Sequence, residues 1–201
     1  MIAIVLDTET TGLTAKDEII QLAYYPVEFK TVQTVTPITI YSSLSRVFNQ
    51  KYRPSVPINP HAAKVNGVQY LDLLGCPASK TVEVPKAEYV VGHNISFDMR
   101  MIKQCVDFEL HSQVEGIKTI CTKELASKLD KKLGIGFPNH KLDTLVEFFY
   151  PEWYKGLSAI HDALDDCYKT ELVLCKLLEY IPAVDNFDKL YEFLQSLKKK
   201  K

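Results

Sequence analysis

The nine residues from Ile2 to Thr10, IAIVLDTET, constrain this chain more than any other stretch. Ile2 to Leu6 are apolar without a break, the pattern of a strand buried on both faces in the middle of a sheet. Asp7 and Glu9 follow, two apart. Side chains alternate along a strand, so the two carboxylates face the same way at its end. Like charges placed there repel and resist loss of water, and a cation is the remedy. Oxygen ligands at this spacing suit a hard divalent ion, Mg²⁺ or Mn²⁺. Taken alone, D-x-E is a short motif that chance supplies often, and a strand fraying into polar loop accounts for it better.

The elements expected downstream give this strand its setting. Glu18 to Tyr25 (EIIQLAYY) reads as a second strand and a third falls within Val35 to Leu44, with short connections that favour an antiparallel meander. Pro54, Pro57 and Pro60 argue for loop across residues 45–60, and His61 to Val65 for a helical turn closed by Asn66-Gly67. Residues 75–86 receive no assignment. A fourth strand, Glu88 to Val91, leads through Gly92-His93-Asn94 into a helix from Ser96 to Val106 with Ser96 as N-cap. Ile117 to Thr122 makes a fifth strand, followed by a helix over Lys123 to Leu129. After loop from Gly134 to His140, Lys141 to Phe149 is helical by its apolar spacing. A further loop runs to Ile160, a long helix occupies Asp162 to Tyr180 with Pro182 as its boundary, and an amphipathic helix, Asn186 to Leu197, precedes Lys198 to Lys201. Three strands and then alternating strand and helix indicate an α/β domain with a mixed sheet. The expected division is a domain over 1–182 and a terminal helix with a lysine tail over 183–201.

Composition narrows the classes. A chain of 201 residues can bury one sizeable core, and 46% apolar with 24% charged residues is ordinary for a globular protein in water. No apolar run has the length of a membrane span, and no basic region precedes the first strand as in a signal peptide. The five cysteines form no C-x-x-C pair, which favours reduced thiols and a cytoplasmic location over disulfides or zinc. A net charge of −1 argues against coating duplex nucleic acid through bulk positive potential, while leaving room for a site that grips one strand end.

Two later stretches carry further candidates. GHNISFD places Asp98 in the first turn of a helix just past a strand, and HDALDD places His161 at the mouth of the long helix with Asp166 five residues on. Each has an ordinary explanation alone, because acidic residues favour helix N-termini. In order, however, Asp7-Thr8-Glu9-Thr10-Thr11-Gly12, then Asn94 with Asp98, then His161 and Asp166 as H-x-A-x-x-D, resemble the three motifs of the DEDDh (DnaQ-like) 3′–5′ exonucleases. These include the proofreading subunit of bacterial DNA polymerase III, ribonuclease T and oligoribonuclease. The resemblance extends from Ile2 to Leu178, and Val65-Asn66-Gly67-Val68 stands where members often have a V-H-G-I-like turn.

The resemblance implies a ribonuclease H-like fold, a five-stranded mixed sheet flanked by helices. It implies Asp7, Glu9, Asp98 and Asp166 as ligands of two divalent ions, Mg²⁺ or Mn²⁺, and His161 as general base. Thr10 and Leu13 stand where members contact the terminal nucleotide, with Asn94 and Phe97 as further strand-end candidates. The activity implied is release of nucleoside monophosphates from the 3′ end of single-stranded or frayed DNA. An exoribonuclease acting on short RNA or RNA 3′ tails is the alternative, since the motifs do not distinguish sugars. A nucleic-acid-binding or polymerase-tethering module with a vestigial centre ranks below both, because all four carboxylates and the histidine are present. No polymerase sequence is recognisable, so a proofreading role would need a DNA polymerase as a separate partner. Oligomeric state stays open.

Overall fold

In the computed structural model, which describes residues 2–31, 38–42, 46–154, 161–181 and 184–198, the first strand lies at the middle of the sheet. This strand, β1 (Ala3–Thr10), is no more than 3% exposed from Ala3 to Leu6. On one side β2 (Ile19–Thr31) pairs with it antiparallel, β3 (Ile38–Ser42) pairs antiparallel with β2, and β4 (Phe48–Lys51) takes the other end of β2. On the other side β5 (Tyr89–Gly92) runs parallel to β1 and β6 (Lys118–Cys121) parallel to β5. The path β3-β2-β1-β5-β6 is a five-stranded mixed sheet, meander first and parallel strands after, with β4 added beside β2.

β4 corrects the expectation of loop across residues 45–60. The prolines there begin only at Pro54, and Phe48 stacks on Tyr24 across the strand pair with ring centroids 4.6 Å apart. β2 also runs further than Tyr25.

Among the described residues the α-helices are α1 (Pro60–Asn66), α2 (Ser96–Cys105), α3 (His111–Gly116), α4 (Thr122–Leu133), α5 (Leu142–Phe149), α6 (Pro151–Tyr154), α7 (Ala163–Leu178) and α8 (Phe187–Lys198). α1 ends at Gly67, whose φ of 68° is the left-handed conformation that closes a helix without a Cβ penalty. Ser96 is the first residue of α2 and not its N-cap. Ile95 holds the cap position and supplies no side-chain bond. α3 and the single turn α6 fall where no helix was expected, since neither is long enough to show a helical period. Residues 155–160 of the expected loop, Pro182, Lys199 to Lys201, and the flanks of the third strand at 32–37 and 43–45 lie outside the described residues.

The alternation within β1 divides the core. Ala3 and Val5 join Tyr25, Val91 and Ile120 beneath α4, α5, α7 and α8, whereas Ile4 and Leu6 join Leu22, Val90 and the inner face of α2. α8 buries Phe187, Leu190 and Leu194 in the first of these clusters, and Tyr89 hydrogen-bonds Asp188 at its start. No disulfide joins any of the five cysteines. No helix among the described residues is long and apolar enough to cross a membrane.

Candidate active site

Ala3 and Val5 face α7, so the alternation carries Asp7 and Glu9 to that same face as β1 runs out of the core. The register with β2 shifts between Glu9 and Thr10, a bulge that re-aims the side chains at the strand end. Gly92, at the end of neighbouring β5, leaves room for this approach. A Cβ there would come within 2.5 Å of Ile95 and 3.0 Å of the Leu6 carbonyl.

The first turn of α7 meets the end of β1. Asp162 caps the helix, accepting from the backbone N–H groups of Leu164 at 3.0 Å and Asp165 at 3.4 Å, and its other oxygen accepts from Gln21 Nε2 at 2.9 Å. Asp165 is exposed and Asp166 is 5% exposed. Asp166 Oδ2 accepts from His161 Nδ1 at 2.8 Å, and Oδ1 accepts from Lys169 Nζ at 2.8 Å. Lys169 also lies 3.1 Å from Asp143 in the first turn of α5, with His161 Nε2 3.8 Å from the same carboxylate. The backbone N–H of His161 donates to the Val65 carbonyl at 3.0 Å, which ties the mouth of α7 to the last turn of α1.

One ligand atom from each of Glu9, His161 and Asp166 lies within 4.8 Å of the other two. Asp7 opens with His161 and Asp166 into a cavity of about 420 Å³ that Lys123, Lys141 and Asp143 also line. Asp98 is anchored at one side, where its Oδ1 accepts from the Thr8 N–H at 3.1 Å and the Thr8 hydroxyl at 2.7 Å.

Crowded carboxylates with little water respond as physics requires. Burial, reinforced by the charges of Asp98, Asp166 and Glu9, holds Asp7 well above the usual carboxylate range. Burial and then Asp166 push Glu9 up to about 8. Burial pushes Asp98 up to about 7 against the bonds from Thr8. Asp166 moves the other way, because the bond from His161 and the charge of Lys169 outweigh its burial. His161 is raised, chiefly by its bond to Asp166 and against partial burial. An oxygen-rich cluster that retains protons for want of positive charge is a donor set suited to hard divalent cations.

A second cavity, of about 360 Å³, adjoins this cluster through Glu9 and is lined by Thr10, Leu13, Asn66 and Phe97. Leu13 is 72% exposed at its rim. Thr10 turns its hydroxyl to the Gly12 carbonyl at 2.7 Å. Phe97 packs partly on the core beside α2 and also faces the cavity, with the Arg100 guanidinium 5.2 Å from its ring centre. Asn94 is not in this cavity. It has a φ of 69° and lines a separate one. His93 also lines the cavity of Asp7, but both its ring nitrogens are engaged, with Thr122 at 2.9 Å and the His140 carbonyl at 3.0 Å, and burial lowers it to about 4. Tyr168 packs on Tyr25 at 5.3 Å.

The motifs do not name Lys169 or Asp143, and they give Thr8 no role. Lys169 leaves a trace in the sequence, standing three residues after Asp166 and so on the same helical face. Asp143 leaves none, because only the packing of α5 on α7 brings it near.

The sequence pattern of the exonuclease family RNase_T matches residues 4–174, from β1 into α7. The chain is 29% identical over 187 residues to a PolC-type DNA polymerase III of Caldanaerobacter subterraneus subsp. tengcongensis, covering 90% of this chain and only 12% of that polymerase. Among solved structures, an exonuclease X in complex with 5′-overhanging duplex DNA has a TM-score of 0.60 and 22% identity, covering 94% of this chain and 99% of that one. A zinc-bound E. coli exonuclease I–single-stranded DNA complex has a TM-score of 0.67 and 17% identity, covering 97% of this chain and 43% of the other. Those structural likenesses establish the ribonuclease H-like fold. The family pattern reaches from the strand that bears Asp7 and Glu9 to the helix that bears Asp166, and by it this chain belongs to the RNase_T family of exonucleases.

Proposed function

We propose that the protein is a metal-dependent 3′–5′ exonuclease that releases nucleoside monophosphates from single-stranded or frayed DNA ends. One observation carries this reading: Glu9 stands at the junction between the carboxylate–histidine cluster and the Leu13–Phe97 cavity. A terminal nucleotide seated between Leu13 and Phe97 brings its phosphate to Glu9, His161 and Asp166. The DNA complexes of the structural relatives favour DNA as the substrate class.

Asp7, Glu9 and Asp166 would hold the divalent ions, with Asp98 supporting the second. Bound there, divalent ions would supply charge neutralisation at the phosphate and a lowered pKa for the attacking water. His161 directs Nδ1–H to Asp166, which leaves Nε2 facing the cavity as the atom that takes the water's proton. Asp166 orients the ring and steadies the imidazolium that results. The bond broken joins phosphorus to the 3′-oxygen of the penultimate nucleotide, so the departing nucleotide keeps a 5′-phosphate and the shortened strand regains a 3′-hydroxyl. Leu13 and Phe97 orient the departing nucleotide by apolar contact.

The test compares 3′-labelled and 5′-labelled single strands with Mg²⁺ or Mn²⁺. A 3′ label should leave at once while a 5′ label shortens as a ladder, and EDTA should stop both. Cuts in a closed circular strand, or digestion undiminished in chelator, would overturn the reading. Matched RNA oligomers in the same assay decide between sugars. The polymerase relative makes a DNA polymerase the protein partner to test by co-purification.

A further inference from the structure

A third cavity, of about 410 Å³, lies beside the catalytic one, and Lys123 lines both. Its other cations are Lys128 on α4 and Lys198 at the end of α8. Its carboxylate, Glu124, is already paired with Lys198 at 3.0 Å. The N-terminus of α2 opens into the same space through Asn94, Ile95 and Ser96. No side chain caps that end, and although the Phe97 N–H is taken by the Asn94 carbonyl at 2.9 Å, the positive end of the helix borders the cavity together with the lysines. The left-handed turn at Asn94 aims the chain this way. In a protein of net charge −1, three lysines against the single carboxylate of Glu124, beside an uncapped helix end, are a local surplus of positive charge.

We propose that this hollow holds the phosphate backbone of the DNA strand on the 5′ side of the cleaved bond. The proposal rests on the exonuclease reading for its direction. The terminal nucleotide occupies the Leu13 cavity, its phosphate lies at Glu9 and Asp166, and the rest of the strand leaves past Lys123 toward Lys128 and Lys198. The lysines recognise phosphate and not bases, so the hollow grips any sequence long enough to reach it.

The test is binding of 5′-fluorescein oligothymidines, one of roughly twelve nucleotides and one of three, followed by anisotropy in EDTA between about 50 and 200 mM salt. The doubly substituted Lys128→Gln/Lys198→Gln protein is compared with wild type and with Lys80→Gln/Lys86→Gln, whose exposed lysines line none of these cavities. The long strand should bind the first variant roughly tenfold more weakly at low salt, with the slope of log K against log salt shallower by about 0.7 per lysine. The trinucleotide should bind all three proteins alike, as should the long strand the Lys80/Lys86 control and wild type. Equal weakening for both lengths, or none for the long strand, would overturn the proposal. Hydrolysis is scored separately with Mn²⁺. A wild-type protein that releases nothing yet shows the length-dependent loss of binding would refute the nuclease reading and leave the backbone site standing.

Discussion

The ammonium of Lys169 lies 2.8 Å from an oxygen of Asp166, three residues earlier on the same helix, and the two side chains are only 5% and 7% exposed. A buried pair of this kind owes its effect less to its own attraction than to the charge left behind when one partner goes. Lys169→Met should therefore destabilise the ion-free protein by about 3 kcal/mol, the lower end for a broken buried pair, because His161 still bonds Asp166. Mn²⁺ should raise the melting temperature of the variant by more than that of wild type, since Asp166 then lacks a cation. Lys169→Arg should lose less. Melting of Lys169→Met at the wild-type temperature would show that the pair holds nothing in place.

The raised carboxylates set a pH dependence whose sign can be worked out. Glu9 ionises near 4.5 in the unfolded chain and at about 8 when folded, and Asp98 near 3.8 and at about 7. Between those values the unfolded chain binds fewer protons, so stability falls as pH rises. His161 acts in the same sense, its contribution complete below 6.5 and lost as pH climbs through its raised value. His93 acts oppositely, but only between about 4 and 6.5. From pH 6.5 to 8 the ion-free protein should thus melt at progressively lower temperature. Saturating Mg²⁺ should flatten the trend. Calorimetry in chelator and in Mg²⁺ measures both slopes.

Asp165 and Asp166 are adjacent in sequence and opposite in setting, exposed and 5% exposed respectively. Asp166→Asn should abolish ion-dependent nucleotide release, and Asp165→Asn should stay within about twofold of wild type, since an exposed first-turn carboxylate interacts with its helix by only about 0.3–1 kcal/mol. Single-turnover rates compare them. The reverse pattern would place the wrong residue at the ions.

His161→Ala should lower kcat by about 10²–10⁴, the usual effect of losing a positioned base. Binding of the strand end should persist, because the four carboxylates remain. The rise of rate with pH should also flatten. Full kcat and an unchanged pH profile in the variant would require another base.

Leu194 is fully buried from α8 in the same core that α7 occupies. Leu194→Ala should cost about 2–5 kcal/mol and move the single unfolding transition as a whole. A separate early transition for α8 would instead mark residues 183–201 as an appendage.

Much of the fold was legible because its signals are local. The unbroken apolar run pointed to a central strand, and Ala3 to Leu6 are buried in β1 there, although Ile2, expected in the same strand, precedes it and is 55% exposed. β4 was not legible, because Phe48–Lys51 is four residues long and is a strand only by its pairing with β2. Ser96 misled for a related reason. Cap preference is a statistical property of residue type, whereas the position of a helix end follows from how α2 packs on the sheet.

D-x-E on one strand face and H-x-A-x-x-D at a helix mouth can be read without coordinates, and they already name the residue types brought to the site. Tertiary structure alone decided their company. It set Asp143 beside Lys169, separated Asn94 from the Leu13 cavity, and opened the uncapped end of α2 onto lysines from α4 and α8. The physical reason is range: alternation and helical period act over a few residues, whereas burial, charge and cavity shape depend on elements far apart in the chain that only packing brings together.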